Sequence, residues 1–229
     1  MIDIAFIPAR GGSKGFPNKN LATVNGESLI VRAIKCALNT NKYAKIVFST
    51  DSDEYIEHVD KLINSDKLII HKRVNNASDV DEVDPMIVAV IEDLVAKGVI
   101  NTPKTISLLY PTSPGRATSS LTKSILAFDG IKPVIGVNLF SDFIWTNSPY
   151  TYPLNYNPLN RKSRQLAAKQ YYRETKSIYH FNYSCLKDSG TRLYEAPELF
   201  EVPFLEGIDI DTEKDLMIFR HLQKLNEEN

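Results

Sequence analysis

Ile2, Ile4, Ala5, Phe6 and Ile7 make a short apolar run that stops at Pro8. A run of that length predicts a strand buried on both faces, the opening strand of a central parallel sheet. Within 27–39 the residues Leu29, Ile30, Ala33, Ile34, Ala37 and Leu38 recur at helical spacing, which predicts an amphipathic helix packed back on that sheet. Lys45 to Thr50 reads as a second strand and Leu68 to Ile70 as a third. Asp51, Ser52 and Asp53 open a helix over roughly 53–63 between them, with acids in its first turn. A helix at 84–97 follows, with Pro85 near its first position and Asp84 as its N-cap. Then come a strand at 105–110, a helix at 117–128, strands at 134–137 and 177–181, and a closing helix at 212–223. Strands alternating with helices in this order predict right-handed crossovers and a three-layer, doubly wound, mostly parallel α/β sheet.

One stretch breaks the rhythm. Residues 140–175 hold Trp145, many tyrosines and phenylalanines, several prolines and, with Lys176 just beyond, a basic cluster of Arg161, Lys162, Arg164, Lys169 and Arg173. A long aromatic excursion inside a compact domain predicts a lid, a binding loop or an oligomer contact, and its aromatic content argues against disorder. The whole chain, 229 residues, suits a single domain carrying that appendage.

Composition narrows the function by exclusion. The net charge of −1 provides no global field for nucleic acid, so any anion site must come from local clustering. Cys36 and Cys185 are the two cysteines and form no C-x-x-C, which argues against a zinc site or a disulfide framework. No stretch reads as a secretory signal or a membrane span, so the expectation is a cytoplasmic protein without membrane contact.

The chemistry concentrates after the first strand. Arg10, Gly11, Gly12, Ser13, Lys14, Gly15, Lys19 and Asn20 combine a backbone that can approach a ligand with three cations, a combination that suits a polyanion such as a triphosphate. The loop fits neither G-x-x-x-x-G-K-[ST] nor G-x-G-x-x-G, since Gly15 follows Lys14 and Gly11 abuts Gly12. Its bland reading is a solvated basic loop. Its place directly after a strand, where open α/β sheets bind ligands, favours the functional one. Pro111-Thr112-Ser113-Pro114 forms a rigid turn at the same edge of the sheet. Asp209 and Asp211, two apart on an extended backbone, face the same way and suit Mg²⁺; Asp211 reads equally well as the N-cap of the closing helix. Lys72 and Arg73, from charge alone, read as solvated surface. His180, alone in an apolar run, reads as a satisfied core residue rather than a base, and His58, His71 and His221 lie on surface-like segments.

PARGGSKGFPNKN (8–20), STD (49–51), ASD (77–79), PTSP-x-R (111–116), SRQL (163–166) and GIDIDTEKDL (207–216), in this order, resemble the acylneuraminate cytidylyltransferases, the CMP–sialic acid synthetases. The resemblance implies a Rossmann-like nucleotidyltransferase that joins CTP to a nine-carbon 2-keto acid sugar with release of pyrophosphate. It puts Ala9, Arg10, Gly11, Ser13, Lys14, Lys19, Asn20, Arg73, Ala77, Ser78 and Asp79 on the nucleotide. It puts Tyr110, Arg164, Arg173 and Tyr179 on the sugar, and Asp209 and Asp211 on Mg²⁺. Arg10, Lys19, Arg164 and Asp209 take the catalytic roles, and 140–175 becomes the dimerisation arm of a homodimer. The chain departs from the family pattern at Tyr110, where Gln is usual. It departs again at Val80 to Val83, where small hydroxyl residues are common, and at Thr175-Lys176, which replaces Asn-Gly. Tyr110 and Lys176 leave open sialic, legionaminic and pseudaminic types of sugar, and Val80 to Val83 leave open the contacts to the cytosine base. A catalytically silent nucleotide-binding relative, or an enzyme using another nucleotide, is the alternative.

Overall fold

Seven strands form one sheet, and the N-terminal strand lies inside it, paired in parallel on both sides. The computed structural model describes residues 1–12, 15–73, 83–161 and 171–227. In chain order the elements are β1 (Ile2–Ala9), the hairpin strands β2 (Thr23–Val24) and β3 (Glu27–Ser28), α1 (Leu29–Thr40) and β4 (Tyr43–Thr50). They continue with α2 (Asp53–Leu62), β5 (Leu68–Lys72), α3 (Val83–Ala96), β6 (Thr105–Leu108), α4 (Thr118–Ala127) and β7 (Val134–Phe140). A small hairpin of β8 (Trp145–Thr146) and β9 (Tyr152–Pro153) precedes β10 (Tyr171–Asn182), α5 (Tyr183–Ser189), β11 (Glu198–Glu201) and α6 (Glu213–Glu227). The sheet order is β11-β7-β10-β6-β1-β4-β5. β10 runs antiparallel to both its neighbours and every other pairing in the sheet is parallel.

The expected three layers are present. Ile34 and Ala37 of α1, Tyr55 and Val59 of α2, and Leu121 and Ile125 of α4 cover one face of the sheet. Ile87, Ile91 and Leu94 of α3 and Leu186 of α5 cover the other. The chain winds outward from β1 through β4 to β5, then returns to β6 on the far side of β1. That reversal puts the switch point of the fold outside the C-terminal ends of β1 and β6.

Several boundaries differ from the sequence expectation. β1 does not stop at Pro8. It continues to Ala9 in register with Ser49 and Thr50 of β4, past its last β6 partner at Phe6, where a missing N–H is tolerated at the open end of the strand. Asp84 lies inside the first turn of α3, not before it, and its carboxylate accepts from the Arg192 N–H (3.1 Å) and guanidinium. β10 begins at Tyr171, so 171–175 belongs to the central sheet, and the described part of the excursion is 141–161. There Phe143, Trp145 and Tyr156 cluster, with the Arg161 guanidinium 4.4 Å from the Phe143 ring. His58 and His71 are half-buried and bonded, His58 to Ser28 Oγ (2.9 Å) and His71 to Asp93 (3.1 Å); of the three assigned to the surface, His221 is exposed.

Two buried polar residues fix how the sheet meets the turn after β6. Arg116 is 6% exposed and donates from Nε to the Ser177 carbonyl (2.5 Å) and from Nη2 to the Tyr110 carbonyl (2.7 Å). Glu206 accepts from the Ala117 N–H (3.1 Å) and Ser120 Oγ (2.8 Å), which caps α4 from a distant part of the chain. Between them Gly115 lies so close to the 205–206 backbone that a Cβ there would sit 2.2 Å from the Leu205 oxygen. Gly115→Ala therefore lowers unfolding stability by about 1–3 kcal/mol, measured by urea denaturation.

His180 is a core residue, as its setting in the sequence predicts. Its Nδ1 meets Ser107 Oγ (2.7 Å) and its Nε2 meets Ser124 Oγ (2.8 Å), and burial pushes its pKa down to about 3. The unfolded chain takes up this proton near pH 6.5 and the folded one does not. The resulting stability is complete above pH 6.5 and declines as the pH falls toward 3. Between pH 6 and 4.5 stability drops by up to about 1.4 kcal/mol per pH unit from this residue, and His180→Gln flattens that slope in urea titrations.

Candidate active site

The loop after β1 is built against the ends of the neighbouring strands. Gly11 donates its N–H to Asp51 Oδ1 (2.7 Å) at the end of β4, and Gly12 turns the chain with φ +69°, a backbone that favours glycine. Arg73, just past β5, reaches back beneath this loop. Its Nη1 donates to the Ser49 carbonyl (3.1 Å) and its Nη2 to the Ala9 carbonyl (3.4 Å), with Asp51 3.7 Å away. The side chain is 9% exposed, so the guanidinium clamps the ends of β1, β4 and β5 together. Lys72 beside it is exposed and pairs with Asp53 (2.6 Å).

Beyond Gly15 the loop drops into an apolar seat. Phe16, Val24 and Leu29 pack with Ile210, Leu216 and Phe219 of the C-terminal segment. Ile210 is held in turn by its N–H on the Thr112 carbonyl (2.8 Å), in the turn after β6. This packing brings Lys19 to Asp211, with Nζ–Oδ1 at 2.8 Å. Asn20, buried at the same place, donates from Nδ2 to the Arg10 carbonyl (3.3 Å). The loop after β1, the turn after β6 and the late carboxylates thus meet at the switch point.

A third cation completes the cluster. Lys176 Nζ lies 2.5 Å from Asp209 Oδ2 and 3.5 Å from Asp211 Oδ2. The hydrogen bond from Lys19 holds the Asp211 carboxyl well below its ordinary range, at about 2, against the opposing effect of burial. Burial alone would lower the Lys176 pKa, but the hydrogen bond and charge of Asp209, with Asp211 behind it, hold it above the usual lysine value. Asp209 Oδ1 is buried and has no hydrogen-bond partner.

Next to these lies an aromatic corner. Tyr110 meets Tyr179 edge-on, with ring centroids 6.1 Å apart, and the Arg192 guanidinium stacks 4.8 Å over the Tyr179 ring. Tyr179 donates from its hydroxyl to Glu174 Oε1 (2.8 Å), and Arg192 is paired with Asp84. Burial raises the phenol pKa of both tyrosines. Arg173 sits on β10 opposite Asn138, whose Oδ1 accepts from its Nη2 (3.3 Å).

Of the residues singled out in the sequence, Ala9, Arg10, Gly11, Lys19, Asn20, Arg73, Asp209 and Asp211 gather on one edge, and Tyr110 pairs with Tyr179. Ser13, Lys14, Ala77, Ser78, Asp79 and Arg164 lie outside the described residues. Sequence reasoning gave no role to Asp51 as the loop's anchor, to Arg116 as a cross-link, or to Arg192, which no local pattern marked. It marked Lys176 in the basic cluster and as a departure from the family pattern, but not as the partner of Asp209 and Asp211.

A family model described as cytidylyltransferase matches residues 4–228. The chain belongs to the cytidylyltransferase family. A pseudaminic acid cytidylyltransferase of Campylobacter jejuni subsp. jejuni serotype O:23/36 is 26% identical over 244 residues, covering 100% of this chain and 99% of that protein. A CMP-N,N'-diacetyllegionaminic acid synthase of Legionella pneumophila is 26% identical, covering 98% and 97%. Among solved structures, a CMP:2-keto-3-deoxy-manno-octonic acid synthetase complexed with CTP superposes with a TM-score of 0.66 at 16% identity, over 99% of this chain and 100% of that one. This cytidylyltransferase therefore shares the nucleotidyltransferase fold, with its glycine–cation loop and carboxylate pair at the fold's switch point. No helix among the described residues is long and apolar enough to cross a membrane.

The apolar seat, more than the ion pair, holds the loop to the carboxylates. Phe16→Ala is expected to cost about 3 kcal/mol of unfolding stability. Lys19→Met is expected to change it by less than about 1 kcal/mol. Urea denaturation of the two variants checks the contrast.

Proposed function

We propose that this enzyme transfers a cytidylyl group from CTP to a nine-carbon 2-keto acid sugar of the legionaminic or pseudaminic type, or to sialic acid itself. The carrying observation is the Lys19–Asp211 pair, which joins the glycine–cation loop to the late carboxylates at one place on the sheet edge. The whole-length likeness to the Campylobacter and Legionella proteins supports the sugar class.

In this reading Arg10, Lys19 and Asn20, with Ser13 and Lys14, hold the triphosphate by positive charge and hydrogen-bond donors, while Gly11, its N–H anchored on Asp51, lets the backbone approach it. Arg73 keeps the three strand ends in place beneath them, and Ala77, Ser78 and Asp79 approach the nucleoside. Tyr110, Tyr179, Arg164 and Arg173 take the acid sugar. Asp209 and Asp211 fit Mg²⁺ by the chemistry of their oxygens, one of which is buried with no donor on it. Among the described residues no third acidic, histidine or cysteine ligand joins them, which leaves room for phosphate oxygens and water. When bound there, the ion neutralises charge on the phosphates. The anomeric oxygen of the sugar attacks the α-phosphorus, the bond to the β-phosphate bridge breaks, and pyrophosphate leaves. Asp209 takes the hydroxyl proton. No protein nucleophile is required, since positioning and charge neutralisation supply the catalysis. The aromatic excursion that begins after β7 extends toward a second copy in a homodimer, and the enzyme works in the cytoplasm.

The test is pyrophosphate release from CTP and Mg²⁺ with a panel of nonulosonic acids. Release that requires both CTP and one of these sugars is expected, and Asp211→Asn lowers kcat/KM by about 100-fold or more. Release from GTP with a sugar 1-phosphate, and none from CTP, would assign another nucleotide. CTP binding without turnover on any sugar would make the protein a silent relative.

A further inference from the structure

Lys176 is not placed like an ordinary surface lysine. The pairing of β10 with β7 is irregular between Glu174 and Tyr179, and Lys176 projects from that irregularity. The backbone on either side is fixed. Thr175 Oγ1 donates to the Gly136 carbonyl (2.8 Å) and meets Ser177 Oγ (2.7 Å). The Ser177 carbonyl takes the buried Arg116 Nε (2.5 Å). Gly136 leaves room for this arrangement, since a Cβ there would meet Ser177 Oγ at 2.8 Å. A rigid stem therefore delivers the ammonium to a point bonded to Asp209 (2.5 Å) and close to Asp211 (3.5 Å).

Two carboxylates that converge on one point attract a cation, and here the chain supplies its own. We propose that the Lys176 ammonium is the resident counter-ion of the Asp209–Asp211 pair, and that a divalent ion must displace it, so that metal enters together with the triphosphate and not before it. This rests on the reading of the two aspartates as the metal site. The physical reason is competition for the same oxygens. Lys19 already holds Asp211 Oδ1 (2.8 Å), so a free metal ion gains the remaining oxygens only by breaking the two Lys176 contacts as well, whereas a metal–triphosphate offers the ejected ammonium phosphate oxygens in exchange. Lys176 thereby acts as a positioning residue that keeps the site closed to metal until nucleotide arrives.

The experiment is titration of nucleotide-free protein with Mn²⁺ alone, with free Mn²⁺ read by electron paramagnetic resonance. Lys176→Met is expected to bind roughly tenfold tighter than wild type. Lys176→Gln, a polar variant that guards against misfolding of the first, is expected to show the same gain. Lys176→Arg, which keeps the charge, is expected to stay near wild type. Equal affinity in wild type, Lys176→Met and Lys176→Gln overturns the proposal while leaving the carboxylate reading intact. A gain that survives replacement of both carboxylates, Asp209→Asn with Asp211→Asn, in the Lys176→Met background places the ion elsewhere and overturns both.

Discussion

Phe16 and Ile210 share one apolar seat, and the site depends on that contact. Burying a phenylalanine contributes about 2–3 kcal/mol, whereas an ion pair with one partner in solvent contributes about 1 kcal/mol or less. Asp211 is 59% exposed on its side chain, so the Lys19 contact follows from the packing and does not cause it. The hydrophobic term brings the loop and the C-terminal segment together, and the charges settle into the position it creates. The Thr112 carbonyl adds the third support by fixing Ile210 to the turn after β6.

Much of this was legible in the residues. The apolar run of β1, the helical spacing of α1 and the strand at 45–50 read correctly because each is a local pattern buried by a sheet that needs it. His180 read correctly because an unpaired histidine in an apolar run has few fates other than being satisfied inside, here by Ser107 and Ser124. The glycines and cations of the first loop were visible as a cluster because they are contiguous. Where the chain needed distant partners the reading ran short. β11 is a brief, mostly exposed edge strand with no strong alternation, so nothing local distinguishes it from a loop. Pro8 ended the predicted strand too early because its position beyond the β6 ladder is a property of the sheet. Arg73 reads as a surface cation until the carbonyls of Ser49 and Ala9 close around it.

The same limit explains the site. Asp209 and Asp211 were marked by spacing, but Lys176 comes from another strand and meets them only after Arg116 and Thr175 have set the backbone of β10. Arg192 follows α5 and reaches the Tyr179 ring through its pairing with Asp84 at the start of α3. Each of these three-way meetings joins segments far apart in the chain, and no window along the sequence contains them. Family resemblance named the motifs; the geometry between motifs comes only from the folded chain.

The place of β10 also governs when the molecule can be assembled. β6 and β7 follow one another in the chain yet never pair, because residues 171–182 lie between them. As the chain leaves the ribosome, the half from β5 to β6 can close on itself, but β7 waits without a neighbour until the antiparallel strand emerges. Pairings so distant in sequence are slow to form. The vulnerable interval during synthesis is thus the one in which the aromatic hairpin is already out and its sheet is still incomplete.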